Sequence, residues 1–443
     1  MDQLSGSAFE CKIEKEDISE LARSVSRLLS RSEDAEKMIA EYLCVQKVGS
    51  LYIYFPSLGG KDPGDNLSAE HQINRFWKIR FELHEECNES KYRDAVNSFL
   101  ALDSKYGILE KLEGQMALIN EVRGIYSITC QGSPRKTKIR EYKLHGALCL
   151  HPRMGSIRHC TSLFNPDTVV KEMILREIKI FPSSTFPILV PLNTDKGISR
   201  IIYKKGDDLT KDLFVLETIR YISELVEMDL VAYKVIPLSR EEGIVEVVDG
   251  VDFTQIKGRE DLERYIEGEN DPRWMQNAQK KRTFVDTLCG YSVACYMMGV
   301  GDRNPGNMMV SRDGRFFHVD FSYVFGNDPK LISPRITIAR PICDYLVNDE
   351  LIYQDFIIKS GEVFLQIRRS CQKIFVLWCV LLQNKIFRFD LEEIITFARG
   401  RLKMEVTEQR ALELFEREVK DAVGSFKTSI MHLVNRVGMF LRR

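Results

Sequence analysis

The chain has 443 residues, which at roughly 150 residues per domain leaves room for two to four domains. Its 63 lysines and arginines nearly balance its 64 aspartates and glutamates, so the net charge is −1 and binding to nucleic acid through bulk charge is excluded. With 44% hydrophobic and 29% charged residues, the composition is that of a globular protein, not of a disordered, collagen-like or disulfide-scaffold chain.

The longest apolar run, Ile374 to Leu382, has nine residues, whereas a helix needs about 20 to cross a bilayer, so no membrane span is expected. No basic stretch followed by an apolar one opens the chain, and Asp2 stands where myristoylation requires glycine. Eleven cysteines without a C-x-x-C pair read as reduced core residues of a cytoplasmic protein. Seven scattered histidines without an H-x-x-x-H pair give no expectation of a zinc site.

Residues 1 to about 145 read as helical. Leu21, Val25, Leu28 and Leu29 fall at three-to-four spacing, and Glu33 to Val45 and Tyr92 to Leu102 behave alike. The polar, basic segment Gly132 to Arg140 reads as a linker. From about 155 the texture changes. Phe186 to Leu192 and Arg200 to Tyr203 are rich in branched and aromatic residues, and Asn193 to Gly197 between them is a turn, so a hairpin is predicted. Leu213 to Val226 reads as a helix, and Ala232 to Pro237 and Gly243 to Val248 as strands. From 283 onward the chain is mostly helical, apart from a strand-rich passage, Met308 to Phe325. The order is helices, a small sheet, then helices, an α+β chain.

The informative stretch is Gly299-Val300-Gly301-Asp302-Arg303-Asn304-Pro305-Gly306-Asn307, followed by Phe317-His318-Val319-Asp320-Phe321. Phosphoryl transfer needs a carboxylate near the attacking hydroxyl, and an Asn and an Asp to hold a divalent ion on the nucleotide phosphates. Asp302 and Asn307 are five residues apart, the offset of a kinase catalytic loop, and a strand-rich return would bring Asp320 back over Asn307. A cation for the phosphates is available in Lys204 or Lys205, at the end of a predicted strand and followed by Asp212 on a predicted helix. Taken singly, a Lys-Lys pair is a solvated edge and Asp-Arg-Asn a turn. The joint occurrence in this order carries the signal.

Tyr203-Lys204-Lys205-Gly206-Asp207-Asp208-Leu209, Gly301-Asp302-Arg303 and His318-Val319-Asp320-Phe321 together resemble the phosphatidylinositol 3-/4-kinase superfamily. Within it the chain resembles the class III phosphatidylinositol 3-kinases, on Asp229 to Gly243, Gly299 to Arg303, Gly326-Asn327-Asp328-Pro329-Lys330 and the tail from Tyr353 to Arg443. The resemblance covers about 160 to 443. It implies a divergent helical accessory domain over 1–150, then a bilobal kinase-like fold: a small sheet-based N-lobe over 155–248 and a mostly helical C-lobe over 249–443. Family members also carry a β-sandwich before the helical region. No such set of strands is read before 150, so a reduced form is expected.

The resemblance implies roles residue by residue. Asp302, Arg303 and Asn304 would form the catalytic loop, and Asn307 and Asp320 would hold Mg²⁺ or Mn²⁺. ATP would meet Ser183 and Lys204 through its phosphates, and Asp212 and Tyr233 at the inner end of its pocket. Backbone groups of Glu246 and Val248 would bond adenine over a floor of Met309 and Val319. Lys330, Arg335 and Arg340, in an activation loop from Ser322 to about Arg340, would meet the lipid phosphate. The implied reaction transfers the γ-phosphate of ATP to the 3-hydroxyl of phosphatidylinositol in vesicle trafficking and autophagy. It would occur on endosomal or vesicle membranes, with a regulatory pseudokinase-type subunit and trafficking-complex subunits as partners.

Five positions depart from the family pattern: Asn304 replaces a histidine, Ser322 a glycine, Thr210-Lys211 an Arg-Gln pair, and Leu189 a loop lysine. Loss of a general acid/base histidine costs roughly 10²- to 10⁴-fold in rate. A pseudokinase scaffold (from Asn304 and Ser322) and a related protein kinase (from Asn304 to Asn307) therefore stay open as alternatives. At the C-terminus, Val423, Phe426, Ile430, Val434, Val437 and Leu441 recur at three-to-four spacing, and Lys427, Arg436, Arg442 and Arg443 are the only charges after Ser425. That is a basic amphipathic helix, which is expected to lie on anionic membrane.

Overall fold

The computed structural model describes residues 108–130, 140–141, 144, 146, 160–165, 167–267, 274–328, 334–382 and 387–440. Helix α1 (Ile108–Cys130) precedes a seven-stranded antiparallel sheet. Its strands are β1 (Cys160–Thr161), β2 (Val169–Met173), β3 (Lys179–Ile180), β4 (Ile188–Thr194), β5 (Gly197–Lys205), β6 (Val235–Ser239) and β7 (Glu242–Glu246). They run in the order β1-β2-β4-β5-β7-β6, and β3 pairs with β4 off that path. The expected hairpin is present as β4 and β5, closed by Asp195-Lys196, with Gly197 at φ 115° where a left-handed backbone favours glycine. Strand β5 starts three residues before Arg200, because pairing with β4 continues down to Thr194 opposite Gly197. Helix α1 lies before residue 150, yet its Leu118, Ile119, Val122 and Ile125 are fully buried in one core with Ile188, Val190, Ile201 and Tyr203 of the sheet. The helices expected over 18–29, 33–45 and 92–102 lie outside the described residues.

Helix α2 (Thr210–Leu225) follows β5 in sequence, but its Leu213, Phe214, Leu216, Ile219 and Ile222 join a second core, that of the helical lobe. This lobe contains α3 (Arg259–Glu267), α4 (Trp274–Met298), α5 (Arg340–Asn348), α6 (Glu350–Arg369), α7 (Cys371–Leu382), α8 (Leu391–Arg401) and α9 (Glu408–Phe440). Trp378 of α7 donates to Thr218 Oγ1 of α2 at 3.0 Å, and Phe214 packs among Phe325, Trp378, Phe387 and Phe389. A second, three-stranded sheet joins β8 (Gly250–Asp252), β9 (Met308–Ser311) and β10 (Phe316–His318). The described cysteines 160, 289, 295, 343, 371 and 379 are free and buried, as core residues. No helix of the described residues is long and apolar enough to cross a membrane.

Helix α9 corrects one expectation. Val423 was expected on a membrane-facing stripe, but it is buried in line with Ala411, Phe415 and Val419, a seam at four-residue spacing that packs on the core. The other members of the stripe, from Phe426 to Leu441, lie outside the described side chains.

Candidate active site

The loop 299–307 leaves α4 through Gly299, at φ 56°, where a Cβ would come within 2.3 Å of the Phe397 ring. Main-chain bonds then zip the loop to the stretch after β10. Phe325 donates to the Met298 carbonyl at 2.7 Å and Gly301 to the Tyr323 carbonyl at 2.9 Å, while the Asp302 amide donates to Asp328 Oδ2 at 3.2 Å. Asp302 itself sits in the left-handed region at φ 46°, uncommon for a residue with a side chain and a mark of functional loops.

Arg303, expected in the catalytic set, is buried and faces inward. Its Nε donates to the Gly301 carbonyl at 2.8 Å, and its guanidinium also holds the carbonyls of Val319, at 2.9 Å, and Asp320. It is a positioning residue that ties two segments together. Asn304 stands at the head of the next turn: its side-chain oxygen accepts from the Gly306 amide at 2.9 Å and caps the short turn Pro305–Asn307.

That turn delivers Asn307, whose Nδ2 donates to the Asp302 carbonyl at 3.0 Å. The β9–β10 hairpin pairs Met308 with His318, and one step further the Val319 amide donates to the Asn307 carbonyl at 3.0 Å. Asp320, at φ 62°, is thereby set next to Asn307, the juxtaposition expected from the sequence. Ser322 donates to Asp320 Oδ1 from its hydroxyl at 2.7 Å and its amide at 3.3 Å. Burial works to raise the Asp320 carboxyl, but the Lys204 ammonium, the Ser322 bonds and Arg303 outweigh it and hold the group below the usual carboxylate range.

Lys204 of β5 lies 3.7 Å from Asp207, and its charge reaches both Asp320 and Asp212. Asp212, in the first turn of α2, is fully buried and accepts from the Phe321 amide at 3.1 Å. Burial pushes its carboxyl up to about 6, and Asp320 adds to the shift, against Lys204, the Phe321 amide and Arg303. Tyr233 is buried at the same place. Burial raises its hydroxyl well above the ordinary value, helped by the Asp212 charge, and the Asp320 backbone faces it. Burial and the Arg303 charge together hold His318 well below its ordinary value, so it is neutral, stacked on Tyr291 with 5.6 Å between ring centroids.

At the end of β7 the Glu246 amide is used within the fold, donating to the Lys234 carbonyl at 2.8 Å, and Val247 donates to Arg200 at 3.1 Å. Val248 follows beyond the end of β7, and it, Met309 and Val319 are half-buried against the helical core. Ser183 lies in the loop between β3 and β4, with its hydroxyl 3.5 Å from that of Thr185. The expected lipid-binding cations are not gathered in the same way. Arg335 pairs with Glu418 of α9 at 2.8 Å, Arg340 with Asp344 at 3.6 Å, and Lys330 lies outside the described residues.

Two residues at the site were missed by sequence reasoning. Asp328 accepts from the Asp302 amide, and the signal for it was its place in Gly326 to Lys330. Lys211 donates to the Ser322 carbonyl at 3.1 Å, which puts two departures from the family pattern in contact, a pairing without a local signal.

Asn307 and Asp320 offer side-chain oxygens suited to a hard divalent ion. The Asn307 bond uses its nitrogen, and both Ser322 bonds fall on Oδ1 of Asp320. Among the described residues no group of three or more His, Cys, Asp or Glu could hold a metal. These two oxygens therefore fit an ion that takes its other ligands from nucleotide phosphates and water.

The family model described as phosphatidylinositol 3- and 4-kinase matches residues 259–341, which contain this loop and hairpin. The chain is 68% identical over 446 residues to a probable phosphatidylinositol 3-kinase VPS34 homolog of Encephalitozoon cuniculi, covering 100% of both. It is 26% identical over 291 residues to the phosphatidylinositol 3-kinase VPS34 of Candida glabrata, covering 63% of this chain and 33% of that protein. To the phosphatidylinositol 3-kinase VPS34 of Saccharomyces cerevisiae it is 25% identical over 376 residues, 81% of this chain and 43% of that protein. The chain thus spans the whole of the first relative and less than half of the other two. On a local geometry that joins Asp302, Asn307 and Asp320, and on identity over its full length, the chain belongs to the phosphatidylinositol 3-kinase family of lipid kinases.

Proposed function

We propose that this chain transfers the γ-phosphate of ATP to the 3-hydroxyl of phosphatidylinositol in a membrane. The observation that carries the reading is the Val319–Asn307 main-chain bond, which sets Asp320 beside Asn307 and within the field of Lys204. In this reading Asp302 takes the proton of the attacking hydroxyl, and Lys204 and Ser183 meet the phosphates. Adenine bonds the Glu246 carbonyl and the Val248 amide over Met309 and Val319, with Asp212 and Tyr233 at the inner end. Mg²⁺ or Mn²⁺ on Asn307 and Asp320 supplies charge stabilisation of the transferring group. Arg303 keeps Asp320 and the catalytic loop in register.

Phosphatidylinositol itself suits this chain better than its bisphosphate. Of Lys330, Arg335 and Arg340, two are ion-paired within the protein, and Asp328 adds a negative charge to the same segment. Family resemblance supports a place on endosomal or vesicle membranes, with a regulatory pseudokinase-type subunit and trafficking-complex subunits. A decayed scaffold is less well supported, since Asn304 and Ser322 each have a task in holding the loop. The test is labelled ATP with phosphatidylinositol liposomes and Mg²⁺ or Mn²⁺, wild type beside Asp320→Ala. Wild-type product, absent from a folded Asp320→Ala protein, is expected; equal product from both would remove the metal assignment.

A further inference from the structure

Helix α1 reaches the nucleotide side of the sheet at two points. Tyr126 donates its hydroxyl to the Thr185 carbonyl at 2.7 Å, in the loop 181–187 that carries Ser183. Its ring meets Tyr203, the residue before Lys204, edge-on with 5.2 Å between centroids. The same loop holds Phe186 at φ 50°, an outlier for an aromatic residue, under the Arg140 guanidinium at 3.7 Å from the ring centroid. Arg140 is tied back to α1 by a 3.0 Å bond from its guanidinium to the Thr129 carbonyl. Behind the loop, Gly206 leaves room for Thr185. A Cβ there would sit 2.9 Å from Thr185 Cγ2, and φ is 91°.

These contacts are aimed. A loop whose exposed serines offer hydroxyls to a ligand has little burial of its own to fix it, and Ser183 and Ser184 are both exposed. Left-handed backbone at a bulky residue persists only when surrounding structure over-determines it. Tyr126, on α1, and Arg140, tied back to α1 through Thr129, supply that constraint. The strand end bearing Lys204 is braced by the same tyrosine ring, so one side chain fixes the spacing between the loop and the lysine.

We propose that Tyr126 is a positioning residue for the nucleotide triphosphate: its hydroxyl sets the loop 181–187, and its ring sets the strand end of Lys204. This rests on the reading of that loop and lysine as the phosphate-binding elements. The consequence is selective. The adenine contacts at Glu246 and Val248 lie at and past the far end of β7 from Glu242, where Arg123 of α1 holds the strand, whereas Tyr126 meets both the loop and the strand end of the phosphate contacts.

The test is Tyr126→Phe, which keeps the ring and removes the hydroxyl, with Arg140→Gln as a second variant acting on the same loop through Phe186. Binding of adenosine and of the non-hydrolysable β,γ-imido analogue of ATP is measured by calorimetry on the full chain. Affinity for the triphosphate is expected to fall roughly three- to tenfold, the effect of one neutral hydrogen bond. Adenosine affinity is expected to stay within about twofold, the margin of an untouched site. The KM for ATP should rise while kcat changes little. Equal losses for both ligands, or none for either, would overturn the proposal. If wild type bound neither ligand, the nucleotide reading itself would fail and take this inference with it. Wild-type binding of both, with unchanged selectivity in both variants, would overturn only the role of Tyr126.

Discussion

The departures from the family pattern have local physical reasons. At residue 304 the amide oxygen accepts from Gly306 and caps the turn that delivers Asn307. Asn304→Ala is expected to lose about 1 kcal/mol of stability, the usual worth of such a cap, and Asn304→Asp, which keeps the acceptor, to lose little. Thermal unfolding of the two variants checks this, and equal losses would show that the cap does not matter. The same oxygen explains what the sequence could and could not disclose. Asp302, Asn307 and Asp320 were legible because loop spacing and a short hairpin bring them together within twenty residues of chain. Arg303 was legible as a motif residue, but its orientation was not, since its partners are main-chain carbonyls that any sequence supplies. The Lys211–Ser322 contact joins residues 111 apart, beyond any periodicity.

Among the secondary-structure elements, β4, β5 and α2 were readable from alternation and helical spacing, but the partners of their buried faces were not. Helix α1 illustrates this: its apolar residues announce a buried face, yet nothing local says that the face meets the sheet. Its attachment has a polar lock as well. Arg123 donates from Nη2 to Glu242 Oε2 at 2.8 Å, and Tyr203 donates its hydroxyl to Glu242 Oε1 at 2.7 Å. Burial works to raise the Glu242 carboxyl, but the bonds from Arg123 and Tyr203 outweigh it and hold the group below its ordinary 4.5. A carboxyl depressed in the folded state contributes stability that is present above the unfolded pKa and lost as pH falls through the folded one. The gap in Tm between wild type and Glu242→Gln should therefore be full near neutral pH and shrink as pH drops below 4.5. A gap independent of pH would show that the lock carries no linked proton. Helix α9 shows the opposite case, in which Val423 was read as apolar but assigned the wrong neighbour, because amphipathicity shows that a face is buried and not against what.

At the scale of the whole molecule, a sheet braced by α1 forms one core and the helices around α2 form another, and the charge of Lys204 at the end of β5 reaches Asp320 and Asp212 of the second. Lys204 comes from the first body, and Asp302, Asn307 and Asp320 from the second. The α+β order was evident in the sequence, whereas the joining of α2 to the helical core, through Phe214 and Trp378, is a tertiary choice made by shape. The chemistry proposed for that junction is most directly tested by the position of the phosphate it adds. Wild-type protein is incubated with labelled ATP and liposomes of phosphatidylinositol, its 4-phosphate or its 4,5-bisphosphate, and the deacylated products are separated against standards for each ring position. The expected result is a single product, the 3-phosphate of phosphatidylinositol, with little turnover of the bisphosphate. A phosphate at another ring position, efficient turnover of the bisphosphate, or a protein that binds ATP and phosphorylates no lipid would contradict it.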